Sequence, residues 1–397
     1  MHPVRAALLL AGPLIAIMSR QGVSATPVNV NNTTSKCGST AATPPLFYKG
    51  HDLSSLGIME AEGYSFTDSA KGNTVRPAED ILAAGGMNTV RLRIWVADTS
   101  TYNRTYTLNL AKRFAQKGHK IYLDFHFSDN WADGGKQPAP AGWPTALPAL
   151  SETLRKYVSD TLVAFHDAGV QLDIVSLGNE IRHGILWPTG RVDPMIQDAG
   201  ARVKNFTNFA TLWAAARNGV RDAAGARNLG PIQVMIHIDN GWDQTMQQNW
   251  FGALIATGLV KTYDFDLMGL SFYPFYNAAA TFKRLGQTLA SLVAKYNKDV
   301  MVVETNWPVV CDGKYNPIPD FSEKFPISVA GQKQWVAGVM DVLLAVPGGH
   351  GRGIFYWEPT WTTNSALGSA CEDNVLFAGE GGGKVAPSRD STEMFLY

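Results

Sequence analysis

The chain has no excess charge of either sign: among 397 residues, 34 Lys and Arg balance 34 Asp and Glu. That balance removes the electrostatic case for nucleic acid or an acidic membrane surface as a partner. Beyond the N-terminal region, no run is long and apolar enough to span a bilayer. Cysteine is scarce, at three residues whose spacing matches no zinc motif, and there is no EF-hand loop. Asp124, His126 and Asp129 are mixed ligand types on one strand rather than a dedicated pattern, so neither a metal nor a cofactor is expected. No G-x-S-x-G turn follows a strand, which argues against serine hydrolase chemistry. No glycine-rich phosphate turn follows the first strand either, where the chain reads KGHDLSSLG.

What is present is apolar surface and tryptophan. Hydrophobic residues make up 45% of the chain and 11 residues are Trp, enough for a sizeable core with flat rings to spare. Arg5, the apolar run Ala6–Met18 and the small residues Val23-Ser24-Ala25 read as an export signal over residues 1–25. The Thr/Asn/Pro/Ser-rich stretch 26–45 reads as a disordered linker, and residues 46–397 as the folded domain. Export permits disulfides. Cys311 follows Glu304 by seven residues and Cys371 lies beyond the final strand, so both fall on loops at one rim and are expected to pair. Cys37 is then free or joined to another chain. Sequons begin at Asn31, Asn32, Asn103 and Asn205, consistent with a secreted glycoprotein.

From residue 46 a unit recurs: an apolar strand, then a helical stretch. Strands are expected at 46–54, 88–96, 120–128, 172–180, 231–239, 266–274, 299–307 and 353–359, and the tail to residue 397 reads as Gly-rich, then irregular. Eight such units predict a single (β/α)₈ TIM barrel with long loops at the C-terminal face of the strands, against the alternative of a doubly wound sheet.

Polar residues gather where these strands end. They are His51 and Asp52, Arg91 and Arg93, His126 and Asp129, Asn179 and Glu180, His237 and Asp239, Tyr273, Glu304, and Trp357 and Glu358. In a barrel they would meet over one pit. Strands four and seven lie on opposite sides of that pit, and each delivers a carboxylate: LDIVSLGNE ends in Glu180, and DVMVVETNWP carries Glu304. A proton donor for the leaving oxygen and a second carboxylate are what glycoside hydrolysis requires, with retention when the two are about 5–5.5 Å apart. Asn179 can hydrogen-bond a sugar hydroxyl beside the reacting carbon, though alone it would serve as well as a helix cap. Tyr273 can donate to Glu304. His126 suits a satisfied core histidine or, in its DFHFSDNW context, a sugar contact. Trp131, Trp307 and Trp361 are candidate sugar platforms. Arg91 and Arg93 share parity on the second strand, so both can face inward, to steady a carboxylate or to fill a layer with ion pairs.

These residues carry a resemblance. KGHDLSSL, NTVRLRIWV, KIYLDFHFSDNWADGGKQPAPAGW, SLGNEI and VVETNWPV resemble glycoside hydrolase family 53, the arabinogalactan endo-β-1,4-galactanases, over residues 46–390. The spacing of His126, Asp129, Trp131 and Asp133 is the most distinctive part. The resemblance implies a retaining mechanism, with Glu180 in the place of the acid/base and Glu304 in that of the nucleophile. It favours Arg91 over Arg93, puts Arg91, Asn179 and Tyr273 where the wider clan keeps supporting residues, and puts Trp357 at the aromatic floor. His51-Asp52 stands where Ala-Asp is usual, and Gly134-Gly135 where a proline is common. Cys311 and Cys371 resemble the disulfide-held form of the loops rather than the calcium-held one. The implied protein is a secreted, monomeric enzyme acting on the β-1,4-galactan of pectic side chains. A barrel β-glucanase or β-mannanase shares the bare glutamate placement. A carbohydrate-binding pseudoenzyme would need neither glutamate.

Overall fold

The structure, a computed structural model, describes residues 46–311, 325–369, 371–379 and 383–396. The expected export signal, the linker, Cys37 and most of the loop after the seventh strand lie outside the described residues. Among the described residues, eight parallel strands close into a barrel. They are β1 (Tyr48–Asp52), β2 (Thr89–Ile94), β3 (Lys120–Phe125), β4 (Ile174–Leu177), β5 (Gln233–Ile238), β6 (Leu267–Ser271), β7 (Asp299–Thr305) and β8 (Gly351–Tyr356). Each pairs with its neighbour in sequence, and β1 pairs with both β2 and β8, so no edge is left open.

The outer ring is helical. Its members are α1 (Leu56–Ala61), α2 (Ala78–Ala84), α3 (Arg104–Gln116), α4 (Leu147–Asp167), α5 (Ala199–Asn205), α6 (Thr207–Ala226), α7 (Gln244–Ala256), α8 (Phe282–Tyr296) and α9 (Val329–Leu344). Side-chain caps start several of them: Asn103 accepts from Tyr106 N, Asp243 from Met246 N, Thr281 from Arg284 N and Ser328 from Gly331 N. Each long helix turns its apolar stripe to the strands. In α8, for example, Leu285, Leu289, Leu292 and Val293 are buried at helical spacing.

Strand alternation divides the barrel interior into two zones. Tyr48, Tyr122, Ile174, Met235, Leu267, Met301, Val303 and Phe355 fill its lower part as a separate apolar cluster. Glycine makes room for the largest of them: a Cβ on Gly50 would sit 2.2 Å from a ring carbon of Phe355. Above this plug, nearer the C-terminal ends, the inward residues turn polar: Asp52, Arg91, Asp124, Ser176 and His237, all buried. The active face is therefore the top of a packed core, not the mouth of a channel.

Some expectations are corrected. The tail is not wholly irregular. Val385–Pro387 pairs in parallel with Ser65–Asp68, which pairs antiparallel with Thr74–Val75, and the last residues pack over α2, where Lys49 Nζ donates to Phe395 O at 2.8 Å. His51 does not face the pit. It has the opposite parity to Asp52 and packs outward, with its ring 5.0 Å from Phe395 and 6.1 Å from Tyr356. Cys311 and Cys371 are joined by a disulfide that ties the loops after β7 and β8. No helix among the described residues is long and apolar enough to cross a membrane.

Candidate active site

The turn after β4 aims Glu180. The chain passes through Gly178 at φ 112° and leaves Glu180 itself in the left-handed region at φ 48°. A Cβ on Gly178 would lie 2.5 Å from Ile181 Cγ2, so only glycine lets this turn pack. An uncommon backbone conformation at a polar strand end is typical of a site whose geometry the surrounding structure imposes. Across the pit, β7 presents Glu304, only 6% exposed. One carboxylate oxygen of Glu180, one of Glu304 and a ring nitrogen of His237 lie within 4.8 Å of one another. That closeness is within reach of a cation, but His237 Nε2 is already engaged with Ser271 Oγ at 2.8 Å.

Arg91 organises the floor. Its Nη1 donates to Asp52 Oδ2 at 2.7 Å, and its Nη2 reaches Glu304 Oε1 at 2.7 Å, Asp124 Oδ2 at 2.8 Å and Asn179 Oδ1 at 2.9 Å. Burial alone would lower the pKa of Arg91, but Asp124, Glu304 and Asp52 outweigh it and hold the pKa well above the usual value. Asp124 is the converse case: burial pushes it up, while Arg91 and the bonds to His126 and His237 hold it well below the carboxylate range. Tyr273 donates to Glu304 Oε2 at 3.0 Å, so both oxygens of Glu304 are held. Among the described residues no such cation pairs with Glu180. Burial first, then Glu304, then Asp239 raise its pKa well above the ordinary carboxylate value. Two carboxyls a few ångströms apart are thus pushed toward different roles, one kept as an acid and the other set against a guanidinium.

A cavity of about 630 Å³ opens over this pair. Glu180, Glu304, Asn179, Tyr273, Trp131, Trp357 and Trp361 line it. Trp131 and Trp361 lie near parallel, at 18° with centroids 6.0 Å apart, and Trp357 meets Trp131 edge-on at 6.2 Å. Arg93 supports this wall from below. Its guanidinium lies 4.6 Å from the Trp131 centroid and 4.0 Å from that of Tyr102, and pairs with Glu358 at 2.5 Å. Burial lifts Glu358 to about 7 against the pull of Arg93, with Asp52 adding to the rise. Asn179 is held from both ends, since its Nδ2 also donates to Ala132 O at 2.8 Å.

Three expected substrate contacts fall elsewhere. Trp307 is not a platform. It is 1% exposed, stacks at 21° on Trp335 and donates to Pro326 O at 2.8 Å, because the chain beyond Glu304 turns back over the outer helices. His126 is 2% exposed and stands in the wall, with Nε2 3.3 Å from Asp124 Oδ2 and Nδ1 accepting from Trp95 Nε1 and Ala132 N, both at 3.3 Å. Asp129 accepts from Ala141 N at 2.7 Å and ties the loop after β3. Neither lines the cavity. Together they hold the loop that carries Trp131.

Other residues converge that the sequence left without a role. Asp124 pairs with Arg91, and alternation could have found it, since β2 and β3 register Arg91 with Tyr122 and Arg93 with Asp124. Asp239, Arg182 and Asn306 line the cavity from three different loops; the end of the fifth strand points to Asp239, but no spacing within the chain announces Arg182 or Asn306. Asp239 is pushed up to about 7, mainly by burial, with Asp133 and Glu304 adding to it against Arg182.

Comparison with known proteins agrees with this geometry. Residues 48–388 match the pattern of glycosyl hydrolase family 53. An arabinogalactan endo-β-1,4-galactanase of Thermothelomyces thermophilus is 41% identical over 338 residues, covering 85% of this chain and 96% of that protein. One from Humicola insolens is 40% identical, with the same coverage of both chains. Among solved structures, one of two fungal β-1,4-galactanases superposes with a TM-score of 0.78 at 39% identity, covering 88% of this chain and 99% of that one. The catalytic domain of a family member from Ignisphaera aggregans superposes with a TM-score of 0.73 at 26% identity, covering 89% of this chain and 97% of that one. With a match spanning nearly the whole barrel, this chain belongs to glycosyl hydrolase family 53.

Proposed function

We propose that the protein is a secreted endo-β-1,4-galactanase that cleaves galactan with retention of configuration, Glu180 serving as acid/base and Glu304 as nucleophile. The observation that supports the mechanism is the approach of a Glu180 oxygen to within 4.8 Å of a Glu304 oxygen, nearer the ~5–5.5 Å spacing of retaining pairs than the ~6.5–9.5 Å of inverting ones. Glu304 attacks the anomeric carbon and forms a glycosyl ester, while Glu180 gives its proton to the departing oxygen. Water then attacks the anomeric carbon of this ester as Glu180 takes a proton from the water; the anomeric carbon's bond to Glu304 breaks, and the free Glu304 carboxylate is regenerated. Arg91 and Tyr273 orient the attacking carboxylate through opposite oxygens. Trp131, Trp357 and Trp361 offer apolar faces to sugar rings.

The choice of galactan rests on the family and on the named relatives, since the glutamate pair alone would suit a glucan or mannan. The disulfide supports an oxidising compartment, and the N-terminal export pattern supports secretion. Every group in the mechanism comes from one chain, so the reading is of a monomer. Reducing-sugar release from β-1,4-galactan, β-glucan and β-mannan tests the reading, with wild type and Glu304→Ala side by side. Release from galactan alone, lost in the variant, is expected. Release from glucan or mannan instead would overturn the substrate. Binding of galactan without cleavage would turn the protein into a lectin-like barrel.

A further inference from the structure

The cavity has two unlike sides. Tryptophans from the loops after β3 and β8 line one, and Asp239 and Arg182, from the loops after β5 and β4, line the other. Glu180 stands on this second, charged side, at the end of β4. The proposed acid must reach the oxygen that leaves, so the sugar attached to that oxygen lies beside Glu180 and over Asp239.

Asp239 is unusual for a buried carboxylate. Its side chain is 14% exposed, and the nearest cation, Arg182 Nη2, is 3.2 Å from Oδ2. Its Oδ1 is buried and has no hydrogen-bond partner among the described residues, and neither has Arg182 Nε. A buried polar atom without a partner is costly, and folding alone gives no reason to keep it. The backbone is nevertheless shaped around this group: a Cβ on Gly134 would come 2.3 Å from Asp239 Oδ2, so the loop after β3 carries glycine where it passes the carboxylate. Sugar hydroxyls are donors that a carboxylate can accept.

Resting on the galactanase reading, we infer that Asp239 is a substrate-binding residue of the leaving-group subsite, accepting hydrogen bonds from hydroxyls of the sugar that departs. It is distinct from the acid and the nucleophile, and its hydrogen bonds form only when the leaving group is itself a sugar.

The test compares wild type, Asp239→Asn and Asp239→Ala on β-1,4-galactan and on an aryl β-1,4-galactobioside, whose leaving group is a phenol. On galactan, kcat/KM should fall roughly 10- to 100-fold in the alanine variant, the effect of losing one or two hydrogen bonds to a charged group. Asp239→Asn, which keeps the shape, should fall less. On the aryl substrate, whose leaving group makes no such bond, both variants should lose at least several-fold less than they lose on galactan, the shared remainder being the effect of Asp239 on Glu180. Thermal melting should show Asp239→Asn close to wild type, because Oδ1 has no protein partner to lose, while Asp239→Ala also gives up the Oδ2 contact to Arg182 and is compared at a temperature where it stays folded. Equal losses on both substrates, or no loss on galactan, would overturn the inference. A wild type that splits the aryl substrate but not galactan would overturn the substrate reading, and the inference with it.

Discussion

Arg91 Nη2 lies 2.7 Å from Glu304 Oε1, while Nη1 of the same guanidinium is bonded to Asp52. Glu304 is therefore held on one oxygen by a cation that also serves the rest of the barrel top, and on the other by Tyr273. Replacing Arg91 by Lys removes the fork and leaves Asp52, Asp124 and Glu304 sharing a point charge. Activity on galactan should fall at least about 100-fold, and stability by about 3–5 kcal/mol, as for a broken buried pair. Tyr273→Phe keeps the ring against Phe275 and Tyr276 and removes the hydroxyl that donates to Glu304, so it should cost about tenfold in kcat with little change in stability. Steady-state kinetics and urea unfolding on the two variants separate these outcomes.

Glu180 should govern the alkaline limb of activity. Burial, then Glu304 and Asp239, raise its pKa, so the proton it donates is retained above the usual carboxylate range. As pH rises through that raised value the donor is emptied and kcat/KM falls. Glu180→Gln should lower activity on galactan about 10²- to 10⁴-fold and abolish that limb. A pH profile of the variant with the wild-type alkaline limb intact would remove Glu180 from the donor role.

Two tryptophans near the site should respond in opposite ways. Trp307 is in the core against Trp335, so Trp307→Ala should cost about 3–5 kcal/mol of stability. Trp361 is partly exposed on the cavity wall, so Trp361→Ala should raise KM for galactan with a small change in melting temperature. Thermal melts and KM for the pair provide the check.

Gly134 should tolerate no side chain while Asp239 is present. The added methyl of Gly134→Ala meets Asp239 Oδ2 and also lies 3.1 Å from Arg182 Nη2. The variant should be several-fold less active than wild type, and in an Asp239→Ala background the same change should cost almost nothing. A double-mutant cycle measures that coupling, which is expected to be about 0.5–3 kcal/mol.

His51 should make stability depend on pH. Burial lowers its pKa from 6.5 to about 3 in the folded chain. Between these values the unfolded state binds the proton and the folded state does not, so stability is full above pH 6.5 and is lost as pH falls toward 3. The loss approaches about 1.4 kcal/mol per pH unit within that window. His51→Phe keeps a ring against Phe395 and Tyr356 and removes the titration. Its melting temperature should fall less than that of wild type between pH 7 and pH 4.

Local pattern made most of the architecture readable. Each barrel strand combines a short apolar run with polar residues at its end, as in Ile174–Leu177 followed by Asn179 and Glu180, and each is followed by a stretch with helical spacing. Parity within a strand was decisive where it was applied: Arg91 and Arg93 face inward together. Strand-end position without parity misleads: His51 neighbours Asp52 at the end of its strand, yet its side chain packs on the opposite face. The pairing of the tail with Ser65–Asp68 was not legible, because a three-residue strand carries no period of its own.

The sequence by itself determined the barrel, the two glutamates and the family, because strand alternation and strand-end chemistry are local properties repeated along the chain. Only the tertiary structure decided which tryptophan lines the cavity and which fills the core, and that His126 and Asp129 brace a loop instead of lining the pit. It alone brought Asp239, Arg182 and Gly134 together. Those outcomes depend on distances between loops that no spacing along the chain encodes: a ring or a carboxylate is a contact or a filler according to what packs over it, and that is set when the barrel closes.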